Sequence, residues 1–190
     1  MSRSTVETSA RPGPAELADE PGPGAAACLR LYRMLAAGVT IVTSRAGRDP
    51  VGLTASSVTS VSLRPPMLLV CVAAGSATLA AIRTQRAFAV HLLREEQAAT
   101  ADVFSRPGHD PQRFLDRTYR DVLGVPVLTD VLAWSVCFLA GESRYGDHCV
   151  AVGQVMVAHR GSGRPLIWHD RRYATLTLPP VGQGSGPAPA

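Results

Sequence analysis

The chain has 190 residues and a mass of 20.0 kDa, enough for one domain with a sizeable core. Hydrophobic content of 46%, charged content of 18% and a net charge of +4 are those of an ordinary globular protein. The positive excess is arginine scattered along the chain with 5% aromatics, which argues against a nucleic-acid surface, and no apolar run reaches the roughly twenty residues of a membrane-spanning helix.

Residues 1–24 are rich in Pro, Gly, Ala, Ser and acidic side chains and read as a disordered arm without the apolar core of a secretory signal. The tail 179–190, PPVGQGSGPAPA, reads the same way, so the folded domain is expected over 25–178. Ala25 to Ala37 has helical spacing, with Gly38 as its stop. Val39 to Thr43 is β-branched and predicts a strand, 45–50 a hairpin turn, and Val51 to Val61 one return strand ended by Pro65-Pro66. Met67 to Ala73 predicts a third strand. Ser76 to Thr84 predicts a short helix, Ala87 to Leu92 a strand, and Glu95 to Phe104 an amphipathic helix with Ala98, Ala101 and Phe104 on one face. The segment 108–121 is polar and reads as a loop with a helical turn. Strands follow at 131–139, 149–158, 166–168 and 173–178, with turns at 145–148 and 161–163. Seven or eight strands in hairpins with two short helices inserted favour a mainly β, antiparallel barrel over a doubly wound parallel sheet, because closure removes exposed edges.

Cys28, Cys71, Cys137 and Cys149 have neither C-x-x-C pairing nor zinc-ligand spacing, and are expected as buried free thiols of a reducing cytosol. There is no G-x-G-x-x-G, P-loop, H-E-x-x-H or G-x-S-x-G. Chemistry must come from four other stretches. Thr54, Ser56, Ser57, Thr59, Ser60 and Ser62 place hydroxyls on a segment expected to be buried, where each needs a hydrogen-bond partner. Either they form a solvated face or pair across neighbouring strands, or they face a polar ligand. Ser76, after Gly75 and before Thr78, suits a helix N-cap, and the same geometry collects N–H groups for a phosphate. Arg113 is either a solvated loop arginine or a fork for phosphate. Asp147 and His148 lie in a turn entering a strand; Asp147 suits capping of the turn, and an imidazole in a site can donate or exchange a proton near neutral pH.

In order along the chain, GVTIVTS (38–44), GLTASSVTSVSLRPPMLLVCV (52–72), SATLAAI (76–82), FAVHLL (88–93), RF (113–114), GDH (146–148) with Gly153 after it, and PLIWHDRRY (165–173) resemble the flavin reductase-like family with the FMN-binding split β-barrel. The resemblance covers roughly 29–178. It implies a homodimeric, cytoplasmic NAD(P)H:flavin oxidoreductase, the kind of short reductase that passes reduced FMN or FAD to a partner monooxygenase after hydride transfer from nicotinamide C4 to flavin N5. It implies that Thr54, Ala55, Ser56 and Ser57 meet the isoalloxazine and ribityl chain, that Ser76, Thr78 and Arg113 lie at the phosphate, and that Asp147, His148, Arg172 and Tyr173 serve the nicotinamide nucleotide, with His148 as the catalytic side chain. No metal is implied. Two departures stand out: Gly75 occupies a position that is asparagine in many relatives, and Leu115-Asp116 replaces the small residues that usually follow Arg-Phe. A split-barrel oxidase or oxygenase that keeps its flavin, and a flavin-binding module without catalysis, are the alternative readings.

Overall fold

The computed structural model describes residues 24–106, 111–114 and 119–177. The expected arm and tail, apart from Gly24, lie outside the described residues, as do Leu115 and Asp116. The chain divides into two compact units at Met34. In the first, helix α1 (Ala25–Tyr32) buries none of its side chains. It stops five residues short of the expected Ala37. Arg33 N–H reaches Leu29 O and Met34 N–H reaches Leu31 O, tightening the last turn, and Ala37–Gly38 is instead strand β1.

In the second unit, β2 (Thr40–Ala46), β3 (Asp49–Ala55), β4 (Val58–Leu63), β5 (Pro66–Ala73), β6 (Ala87–Leu92), β9 (Ala133–Tyr145) and β10 (His148–Arg160) form an antiparallel sheet in the order β3-β2-β6-β9-β10-β5-β4. Its two edge strands, β3 and β4, are consecutive in sequence, with only Ser56 and Ser57 between them. Three Cα steps span at most about 11 Å, whereas six strand spacings laid flat would separate the edges by about 29 Å. The sheet must therefore roll until its edges meet at this corner. The edges do not pair with each other, so the result is an antiparallel split barrel.

This overturns the single return strand expected over 51–61. Ala55 still pairs with Thr40 of β2, but Ser57 accepts a hydrogen bond from Cys71 N–H (3.1 Å) and donates its own hydroxyl to Cys71 O (2.9 Å). Two residues thus carry the backbone from one edge of the sheet to the other. The strand count also exceeds the expected seven or eight. The described residues hold twelve, including β7 (Tyr119–Val122), which begins inside the stretch 108–121 expected to be loop, its partner β8 (Val125–Leu128), and β11 (Leu166–His169) and β12 (Arg172–Thr175), which join β1 in a small sheet.

The hydroxyls are distributed otherwise than expected. Ser56, Ser57, Thr59 and Ser60 are exposed, and Thr54 and Ser62 are half-buried. Buried hydroxyls occur instead at Thr78, at Ser135 and at three positions of β2, which is covered on both faces. Thr40 donates to Ala55 O (2.7 Å), Thr43 to Pro126 O, and Ser44 to Ala87 O (2.8 Å). Each is satisfied by a carbonyl, as a buried hydroxyl requires. Of the cysteines, Cys137 and Cys149 are buried while Cys28 and Cys71 are half-buried, and none of the four is in a disulfide. Burial pushes the Cys137 thiol up to about 11.

His91 of β6 sits wholly inside the barrel. Leu128 N–H donates to its Nε2 (3.1 Å), which leaves the ring proton on Nδ1 to be donated to Ile41 O (2.9 Å). The neutral ring thereby joins β6, β2 and β8. Two helices complete the unit. α2 (Ala77–Gln85) begins at Ser76 within a residue of expectation, and α3 (Ala98–Ser105) follows a 3-10 turn at Glu95–Gln97 and buries Ala101 and Phe104. No helix among the described residues is long and apolar enough to cross a membrane.

Candidate functional site

The corner where the barrel edges meet opens into a groove of about 620 Å³, within the range of small-molecule sites. One wall is the end of β3 and its Ser56-Ser57 link. The end of β5, His148, the start of α2, the Phe104–Arg106 end of α3 and Arg113 line the rest. Thr54, Ala55, Ser56, Ser57, Ser76, Thr78, Arg113 and His148, drawn from four separate stretches, all line it.

Each is held by identifiable contacts. Thr54 Oγ1 donates to Ala101 O (2.6 Å), tying β3 to α3. Ser57 is fixed to Cys71, as above. Ser56 makes no side-chain hydrogen bond among the described residues and is exposed to the groove. Ser76 Oγ accepts from Thr78 N–H (3.2 Å) and caps α2, so the capping reading holds. The remaining N–H groups of the first turn and the helix dipole favour an anion there. Arg113 is not the solvated loop arginine of the first alternative. It is 4% exposed, donating to Gly52 O (3.0 Å) and Arg106 O (2.5 Å), so a cation is built into the groove wall and anchored to β3.

Asp147 and His148 share the β9–β10 hairpin, where Gly146 takes φ +59. Asp147 Oδ1 accepts from His148 Nδ1–H at 2.9 Å. That hydrogen bond, before any other cause, holds the Asp147 carboxyl below its ordinary range. Asp147 is exposed and does not itself line the groove. It orients the imidazole that does. Arg172 lines neither the groove nor the cavity beside it. It is exposed and paired with Asp170 Oδ2 (3.4 Å), because alternation along β12 turns it away from the face that carries Tyr173. Tyr173 lines a smaller neighbouring cavity rather than the groove.

The donor set suits a flat heteroaromatic ligand with an anionic tail. Ala55, Val72 and Ala73 offer an apolar bed, Ser56 a hydroxyl without an internal partner, and the α2 N-terminus and Arg113 a positive end. A Cβ built on Gly75 meets nothing within 4 Å, so the groove is roomy beside that N-terminus. Phe104 and Ser105 went unrecognised as groove residues in the sequence, since packing of α3 places them there and they belong to no motif.

Residues 31–177 match the flavin reductase like domain family. The chain belongs to the flavin reductase-like family. It is 38% identical over 138 residues to the reductase component of 4-nitrophenol 4-monooxygenase/4-nitrocatechol 2-monooxygenase of Rhodococcus opacus, covering 73% of this chain and 74% of that one. It is 36% identical over 154 residues to an NADH:FMN oxidoreductase of Rhodococcus qingshengii, covering 77% and 78%. Among solved structures it is similar to BorF, the flavin reductase component of a bacterial two-component tryptophan halogenase, at 32% identity and TM-score 0.73, over 81% of this chain and 99% of that one.

Proposed function

We propose that the chain is an NAD(P)H-dependent flavin reductase that reduces FMN or FAD in the corner groove and supplies the reduced flavin to a partner monooxygenase. The observation that carries this reading is the convergence on one groove of the TASS corner, the capped α2 start, buried Arg113 and the Asp147-oriented His148. The relatives named as NADH:FMN oxidoreductase and as a monooxygenase reductase component support the same activity. Bound flavin supplies the redox chemistry, accepting hydride from the reduced nicotinamide. The residues of the chain bind and position. Ser56 and Ser57 meet the polar edge of the ring system, and Thr54 and Ala55 its flat face and side chain. The Ser76–Thr78 turn and Arg113 hold the phosphate, using N–H groups and a fixed cation. His148, oriented by Asp147, lies beside the nicotinamide as the catalytic side chain, donating a hydrogen bond or exchanging a proton. The exposed rim at Ser56, Ser57 and His148 leaves the ligand free to exchange, as a flavin handed to another enzyme requires. The reductase works in the cytoplasm as a homodimer. Its domain spans 25–178.

The test is the loss of reduced-nicotinamide absorbance with added FMN, then FAD, against NADH and NADPH. Turnover with free flavin is expected, and a folded protein that consumes neither nucleotide at saturating flavin refutes the reading. Two substitutions refine it. His148→Ala is expected to lower kcat/KM for the nicotinamide at least tenfold, or about 1.4 kcal/mol, while the flavin Kd measured by fluorescence quenching stays within twofold. Equal losses in both make His148 structural. Gly75→Asn introduces an amide into open space and is expected to tighten FMN binding about fivefold, the value of one hydrogen bond. Unchanged or weaker binding shows that the phosphate lies elsewhere.

A further inference from the structure

A second cavity of about 230 Å³ adjoins the groove across a lip formed by Thr54, Ser56 and Ser105. Its far side is built from Val39, Asp102 of α3, Trp168 of β11 and Tyr173 of β12. Trp168 and Tyr173 are register partners, their rings 5.1 Å apart and edge to face. The Tyr173 hydroxyl donates to Asp102 Oδ1 at 2.7 Å. Desolvation first, and then Asp102, push the phenol up to about 12, so it stays protonated and keeps donating. Tyr173 thus fixes the direction of a carboxylate that can accept further hydrogen bonds. Among the described residues lining this annex, Asp102 is the charged one, and its charge is negative.

We propose that the annex receives the adenosine half of the electron-donating dinucleotide, and that Asp102 accepts a hydrogen bond from its ribose 2′-hydroxyl, selecting NADH over NADPH. The inference rests on the reductase reading above. Hydride transfer requires the nicotinamide ring to lie against the flavin in the groove, so the half that crosses the lip is the other one. The annex has room for one ring system, and its aromatic walls suit the flat faces of adenine. A carboxylate is the acceptor that dinucleotide sites use for a 2′-hydroxyl. In NADPH that hydroxyl carries a phosphate, which would meet a fixed charge of its own sign with no described lining cation to offset it. Asp102 discriminates by direct contact, and Tyr173 is its positioning residue.

The test titrates the full-length, flavin-free protein with NADH, NADPH and reduced nicotinamide mononucleotide, which lacks the adenosine. Binding is read as quenching of Trp168 emission, with Trp168→Phe as the control for signal from Trp134. NADH is expected to bind roughly tenfold more tightly than NADPH, the value of one charged hydrogen bond. Asp102→Asn, close to isosteric, should bring the two affinities together, mainly by tightening NADPH. Tyr173→Phe should weaken NADH a few-fold, and neither change should alter the mononucleotide. The proposal is overturned by an NADH/NADPH ratio that survives Asp102→Asn in a protein with unchanged circular dichroism, by equal effects on the mononucleotide, or by absence of NADH binding. Because the titration needs no flavin, its outcome is separable from a failure of flavin reduction.

Discussion

Acidification from pH 6.5 to about pH 4 is expected to remove roughly 3 kcal/mol of folding stability through one side chain, His91. Complete burial lowers this imidazole from 6.5 to about 4, against a smaller opposing effect of its hydrogen bond to Ile41 O. In the unfolded chain the ring protonates near its ordinary value; in the folded chain it resists until about pH 4. Between those limits the unfolded state binds more protons, so stability falls as pH falls, at up to 1.36 kcal/mol per pH unit, and below about pH 4 the contribution levels off. The measurement is urea denaturation across this range for the natural chain and for His91→Gln, which cannot titrate there. The variant is expected to be less stable at neutral pH, having lost a ring fitted between Ile41 O and Leu128 N–H, and to show a shallower acid slope. Carboxylates contribute equally to both proteins, so the difference isolates His91. Parallel slopes would remove the imidazole from the account. His91→Ala should cost about 4 kcal/mol at pH 7, combining a cavity with two orphaned backbone groups.

Gly153→Ala is expected to destabilise the barrel by about 3 kcal/mol and lower the melting temperature by on the order of 10 °C. Gly153 is a buried position of β10, next to a register shift against β9. A Cβ there would stand 2.5 Å from Phe88 Cζ and 2.7 Å from Cys137 Cβ. Phe88 is completely buried and has no room to retreat, and Cys137 is backed by the same cluster. Strain therefore passes into β6 and β9, the centre of the sheet. Pairing Gly153→Ala with Phe88→Leu should recover part of the loss, since the shorter side chain frees the space the methyl needs; thermal melts of the single and double variants decide it. A single variant that melts with the natural chain would mean that the glycine serves the backbone rather than the close approach.

Much of the groove was legible because its residues sit in short stretches whose order along the chain is informative. TASS, the Ser76 cap and Asp147-His148 each admitted a bland reading alone, and the fold brings all three stretches to one corner. Other expectations failed for definable reasons. The 51–61 strand looked continuous because β-branched and hydroxyl residues suit a strand on either side of a corner, and the hydrogen bonds that turn it come from Cys71, fourteen residues after Ser57. The buried hydroxyls were sought on β3 and β4, whereas only the rolled sheet shows that β2 is covered on both faces. Arg172 and Tyr173 were grouped as neighbours, although strand alternation sends them to opposite sides. Asp102 and Trp168 lie 66 residues apart and carry no shared pattern; Tyr173 brings them to one cavity.

Local chemistry is written into the chain itself: which runs are strand, where the α2 cap falls, and which stretches carry hydroxyls, a histidine beside an aspartate, or a forked cation. These depend on neighbours a few residues away, and short-range sterics and hydrogen bonding are enough to specify them. Tertiary structure alone decided that the two sheet edges meet, that Arg113 is buried in the groove wall, that His91 is a neutral strut, and that an acidic aromatic annex opens beside the main groove. Each of those arises from contacts across dozens of residues, where burial and sheet closure, rather than local preference, determine which groups face one another.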